Sequence, residues 1–167
     1  MRNLKIIVWI VLLFLVQTVI VNYIKIAGAR PDLILPFVLC VAIMEDSFKR
    51  SVTISVVCAV LAASLCGRNF TLALLFYTYI SIIVFNMRTH PRYMPDFAKY
   101  MIYMFIGSVV LEGLSYIMLY SGVSGFGIVF LRVLVFTVLY DTAAALVIYP
   151  IVRKTVYKSK KKQLIIE

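Results

Sequence analysis

Between Lys5 and Lys25 the chain reads IIVWIVLLFLVQTVIVNYI, nineteen residues without a charge. As a helix rising 1.5 Å per residue this run reaches about 28 Å, close to the hydrocarbon thickness of a bilayer. A stretch this long and this apolar is difficult to bury inside a chain of 167 residues, because small domains have much surface for their volume. The run also recurs. Six apolar segments can be drawn: Ile6 to Ile24, Leu33 to Met44, Ser51 to Cys66, Asn69 to Met87, Phe97 to Tyr120, and Ile128 to Ile151. Composition agrees, with 63% hydrophobic and only 14% charged residues, where a soluble domain is nearer half apolar and a quarter charged. The expected fold class is therefore all-α, a polytopic membrane protein of six transmembrane helices. The segments at Leu33 and Ser51 fall below the roughly twenty residues of a straight span and are expected to be tilted, snorkelling or partly embedded.

Charge placement gives the orientation. With six spans both chain ends fall on one side. That side holds Arg2, Lys5, Lys49, Arg50, Arg88, Arg92, Lys99, Arg153, Lys154, Lys158, Lys160, Lys161 and Lys162. The other holds Lys25, Arg30 and Arg68, and Arg132 lies within the last segment. Basic loops remain in the cytoplasm, so both termini are expected there. The chain divides into a six-helix transmembrane domain over 1–152 and a basic cytoplasmic tail over 153–167, whose Arg153, Lys154, Lys158, Lys160, Lys161 and Lys162 are expected to lie on anionic inner-leaflet lipid. The net charge of +10 is explained by this clustering, and nucleic-acid binding is not expected. The first run ends in VNYIK, without the small residues of a signal cleavage site, and reads as a retained anchor.

The corner ARPDLILPFVL, Ala29 to Leu39, then makes sense as an external turn launching the second helix. Pro31 lacks an N–H where that donor would be unpaired anyway, and Asp32 suits the positive end of the helix dipole. Three ionisable residues fall inside the later spans: Glu112, Arg132 and Asp141. Such residues are costly in hydrocarbon and usually face the bundle interior. Glu112 lies about 12 Å and Arg132 about 6 Å below the outer ends of consecutive antiparallel helices, so an ion pair between them is expected. Asp141 lies near the middle of the last helix, with Tyr140 and Thr142 as neighbours able to hydrogen-bond it. Arg30, Pro31, Asp32, Glu112, Arg132 and Asp141 are the candidate partner-contact or structural polar residues. Tyr77, Tyr79, Tyr100, Tyr103, Tyr116, Tyr120, Tyr140 and Tyr149 lie in or beside spans, several at segment ends as an interfacial belt requires.

Signals for chemistry are few. Cys40, Cys58 and Cys66 match no metal or redox spacing, and His90 sits in the proline-bearing loop MRTHPRYMPDF. The glycine-rich SGVSGFG lacks the lysine of a phosphate loop. No nucleophile has a base at a readable spacing, so neither a catalytic set, a cofactor nor a metal is expected.

The start of the second segment, ARPDLILPFVL, resembles the PDLLL start of the second helix in the bacterial rod shape-determining MreD family. The end of the sixth, VLYDTAAALVIYPIVRK, is similar to that family's pattern of a polar residue, a small apolar run, a proline and basic residues. Where the family often carries GLL-D at the end of its third helix this chain has AVLAASLCGR, and Asp141 stands where asparagine is common. The resemblance implies a non-enzymatic subunit of the cell-elongation machinery in the bacterial plasma membrane. It would bind an MreC-like bitopic protein and, through it, MreB, RodA and a penicillin-binding protein. The family's fold is thought similar to the substrate-binding subunits of vitamin transporters. The alternative reading is thus a small-molecule-binding transport subunit, with Glu112, Arg132 and Asn69 as its polar groups. A channel lacks the polar stripe a pore would need. Oligomeric state is not readable from the residues.

Overall fold

A computed structural model describes residues 2–20, 32–66, 69–88, 94–120 and 126–157. These residues are almost wholly helical and contain no strand. Helix α1 covers Arg2–Leu15 and continues as a wider π turn over Val16–Ile20. Then follow α2 (Ile34–Met44), α3 (Phe48–Cys66), α4 (Phe70–Met87), α5 (Asp96–Tyr120) and α6 (Phe126–Val152), the last extended by a π turn over Arg153–Tyr157. Four stretches are long and apolar enough to cross a membrane: Phe48–Leu65, Phe70–Met87, Asp96–Met118 and Phe130–Tyr157. Their outward faces carry Leu75, Ile83, Phe105, Ile106, Leu131 and Leu139, all more than half exposed. In water such faces would aggregate; lipid is their natural solvent. The protein is a multi-pass membrane protein.

The segment at Ser51 is longer than its apolar residues suggest. α3 begins at Phe48, and Ser51 N–H already donates to Ser47 O at 3.0 Å, so the exposed Lys49 and Arg50 are helical. The segment at Leu33 is indeed short. Eleven residues make α2, about 16 Å at the helical rise, roughly half a bilayer core.

Its shortness comes with a different placement from the one expected. Every residue from Ile34 to Ile43 is buried, with Leu35, Val38, Leu39, Cys40, Val41 and Ala42 at 0% exposure. α2 packs against α3, α4, α5 and α6 together. It is the axis of the bundle, which is where a helix apolar on all sides belongs. α2's surroundings from Ile34 to Ile43 are therefore protein, not lipid. Gly107 of α5 helps α2 in: a Cβ there would come within 2.6 Å of Ile80 Cδ1 and 3.8 Å of both Leu35 methyls.

α1 meets the π turn that extends α6. Lys5 Nζ donates to Thr155 O at 3.1 Å, and Trp9 Nε1 to Thr155 Oγ1 at 3.0 Å. The helical backbone therefore does not stop at residue 152. It runs to Tyr157, with Val156 buried. Lys158, Lys160, Lys161 and Lys162 lie outside the described residues.

Candidate functional site

A helix that begins inside a bundle, away from water, has a defined problem. Its first four N–H groups have no partner within the helix, and a buried unpaired N–H is costly. α2 solves it group by group. The N–H of Asp32 donates to Asp141 Oδ1 at 2.7 Å. That of Leu33 donates to Gln17 Oε1 at 3.0 Å. Those of Ile34 and Leu35 donate to Asp32 Oδ1 at 2.9 and 3.4 Å. The next residue, Pro36, has no N–H to satisfy. Side chains from three separate elements thus complete the start of one helix.

The acceptors are held in turn. Tyr77 of α4 donates its hydroxyl to Asp32 Oδ2 at 2.6 Å, and Ser108 of α5 donates to Asp141 Oδ2. Asp32, Tyr77, Ser108 and Asp141 are all at 0% exposure, and Gln17 is at 8%. This polar knot ties the α1 extension, α2, α4, α5 and α6 at one point. Hydrogen bonds of this kind are a principal means of joining helices in lipid, where apolar burial supplies little drive.

The other end of α2 carries a second knot. Glu45, also at 0% exposure, donates its N–H to Val41 O at 2.8 Å. Its carbonyl accepts from the Arg88 guanidinium, and Tyr157 Oη lies 3.4 Å from its carboxylate. Lys99 Nζ donates to Arg88 O at 2.7 Å. Further in, about two and a half turns from Glu45 along α2, Tyr100 Oη donates to Pro36 O at 3.2 Å. Lys5, Arg88, Lys99, Arg153 and Lys154 therefore share one end of the bundle. Arg88 also lies over the Phe85 ring, 3.9 Å from its centroid, a favourable cation–π geometry.

The residues expected from sequence fall into three groups. Asp32 and Asp141 come together in the first knot, as buried structural acceptors rather than surface contacts. The partners of Asp141 are Asp32 and Ser108, not its neighbours: Thr142 turns its hydroxyl back to Val138 O at 2.6 Å. Arg30 and Pro31 lie outside the described residues, as does His90. Glu112 and Arg132 are not joined by an ion pair among the described residues. Glu112 is part-buried one turn from Ser108, while Arg132 is exposed. The cause is helical phase. Arg132 precedes Asp141 by nine residues, about two and a half turns, so it faces away from the interior, between Leu131 and Val135. The expected tyrosine belt is also thinner, since Tyr77 and Tyr100 are wholly internal.

Gln17, Ser108, Glu45, Lys99 and Tyr157 were not singled out as site residues by sequence. Gln17 and Ser108 are short interruptions in apolar runs, and that is the signal they leave. Among the described residues no cluster of three or more His, Cys, Asp or Glu could hold a metal ion. No family model, curated protein or solved structure matches the chain.

Proposed function

We propose that the protein is a non-enzymatic, MreD-like subunit of the rod-shape machinery in the bacterial plasma membrane. It binds an MreC-like bitopic protein and, through it, MreB, RodA and a penicillin-binding protein. One observation carries this reading. The two stretches on which the family resemblance rests, PDLIL and YDTAAALVIYP, lie 109 residues apart and close on each other through the Asp32–Asp141 hydrogen bond. The resembling residues are thus parts of one structural device.

In this reading six helices are embedded, α2 as a half-length axis, and both chain ends are cytoplasmic. Support comes from the contact of Lys5 and Trp9 with Thr155 and from the gathering of basic residues at that end, as the positive-inside rule requires. The work is done by the outward helix faces. Arg132 is the natural contact for a partner's helix: it is a charge exposed among Leu131, Val135 and Leu139, about 9 Å into α6. Charges facing hydrocarbon are expensive, and a partner's acid or backbone carbonyl relieves that cost.

The test is co-expression with the MreC-like bitopic protein of the same genome, purification in mild detergent, and comparison with R132E. Retention of the bitopic protein by the wild type, and at least tenfold less by R132E at unchanged thermal stability, is the expected result. Co-purification of a stoichiometric vitamin instead would overturn the reading in favour of a transport subunit. Terminal tags accessible on opposite faces of intact cells would overturn the topology.

A further inference from the structure

α1 and α3 touch only lightly, and between them lies a groove of about 320 Å³. Its mouth is polar, formed by Asn3, Lys49 and Arg50. Its walls are apolar, and Ile7, Ile10 and Val57 define how far it runs. Val57 follows Arg50 by seven residues on α3, so the groove descends about 10 Å from its charged mouth. Ile7 and Val57 are 58% and 42% exposed, so the groove opens sideways towards lipid. Thr53, also lining it, has turned its hydroxyl to Lys49 O at 2.8 Å, which leaves the descending wall apolar.

The mouth is where charge remains uncompensated. Glu45 is buried at the end of α2, with its carbonyl on Arg88 and its carboxylate beside Tyr157. No ion pair joins Lys49 or Arg50 to an acid among the described residues. Two cations with no ion pair among the described residues, and an amide, above an apolar trough match a phosphodiester above an acyl chain. Basic pockets between transmembrane helices on the cytoplasmic side recognise anionic headgroups in this way. We infer that the α1–α3 groove is a binding site for one anionic phospholipid. The phosphate sits between Lys49 and Arg50, and one acyl chain lies along Ile7, Ile10 and Val57. Arg153 and Lys154 do not line the groove. Its assignment to the inner leaflet rests on the proposed topology; the groove itself does not.

The experiment is native mass spectrometry of the full chain in detergent, titrated with phosphatidylglycerol, phosphatidylcholine and soluble glycerol phosphate. One phosphatidylglycerol should bind saturably, with phosphatidylcholine at least tenfold weaker and glycerol phosphate not competing. K49Q/R50Q should weaken phosphatidylglycerol binding roughly thirtyfold, taking about 1 kcal/mol for each cation near the headgroup. V57F, which fills the trough and leaves both cations, should weaken both lipids alike. R153Q/K154Q should change neither. Thermal unfolding midpoints matching the wild type establish that the variants are folded. Equal affinity for the two lipids, or loss in R153Q/K154Q with none in K49Q/R50Q, overturns the site. Because the measurement is made in micelles, its outcome does not depend on sidedness, and tag accessibility reports on that separately.

Discussion

Asp141→Ala withdraws two acceptors at once, and the structure says which loss matters. Ser108 would lose its partner, but a helical serine can turn its hydroxyl to the carbonyl four residues back. Ser115, Thr137 and Thr142 do so at 2.7, 2.9 and 2.6 Å. The Asp32 N–H has no such freedom, because its backbone is fixed at the head of α2. An orphaned buried donor costs about 1–3 kcal/mol. Interhelical hydrogen bonds in membranes average nearer 0.6 and reach about 1.7 kcal/mol, because the unfolded chain in lipid also finds partners. D141A should therefore cost about 1.5–3 kcal/mol, including the small cavity. D141N keeps an amide oxygen for the Asp32 N–H and can donate to Ser108, so it should cost below about 1 kcal/mol. S108A should cost about as little. The assay is unfolding of the purified protein in mixed micelles titrated with SDS. If D141N costs as much as D141A, charge and not acceptor geometry is at stake. If D141A is neutral, the knot does not hold α2.

Gln17→Leu should cost about 1 kcal/mol by stranding the Leu33 N–H, while Gln17→Glu, which keeps an acceptor, costs less in the same titration. Tyr77→Phe removes the 2.6 Å donor to Asp32 and should cost about 1 kcal/mol, non-additively with D141A because both act on one network. With Cys66 replaced by serine, Cys40 and Cys58, both buried, should resist maleimide in mild detergent and react within minutes in SDS; rapid labelling of native protein would contradict the packing around α2. Gly107→Ala should cost under about 1 kcal/mol, because its near neighbour is the mobile end of Ile80. Gly107→Leu should cost about 1–3 kcal/mol, because the extra bulk must displace Leu35 as well.

The helices were legible from apolar runs because lipid asks for little else: each of the six segments is helical where it is described, four are long and apolar enough to cross a membrane, and boundaries moved by a few residues. Shifts came where charge and helix coincide, as at Lys49 and Arg50 before Ser51, and at Arg153 and Lys154 beyond residue 152. What composition could not give was position within the bundle. The length of α2 was visible, and so was its lack of any polar stripe. Shortness suggested a tilted or partial span, yet apolarity on every side was the better guide to a helix enclosed by others. The Glu112–Arg132 pairing failed because depth alone was used; helical phase relative to Asp141 would have turned Arg132 outward. The knot itself joins residues up to 109 positions apart, and no periodicity reports a contact of that kind.

α2 is made before α6, yet the acceptor for the N–H at its head, Asp141 Oδ1, belongs to α6. Until that helix arrives, α2 is too brief to hold a transmembrane position by itself and lacks its capping ligand. Assembly of this bundle consequently includes a closing step in which α6 docks and locks α2. A chain halted before Asp141 would leave the head of α2 uncapped, and one halted before Thr155 would lack the contacts of α1 with the end of α6.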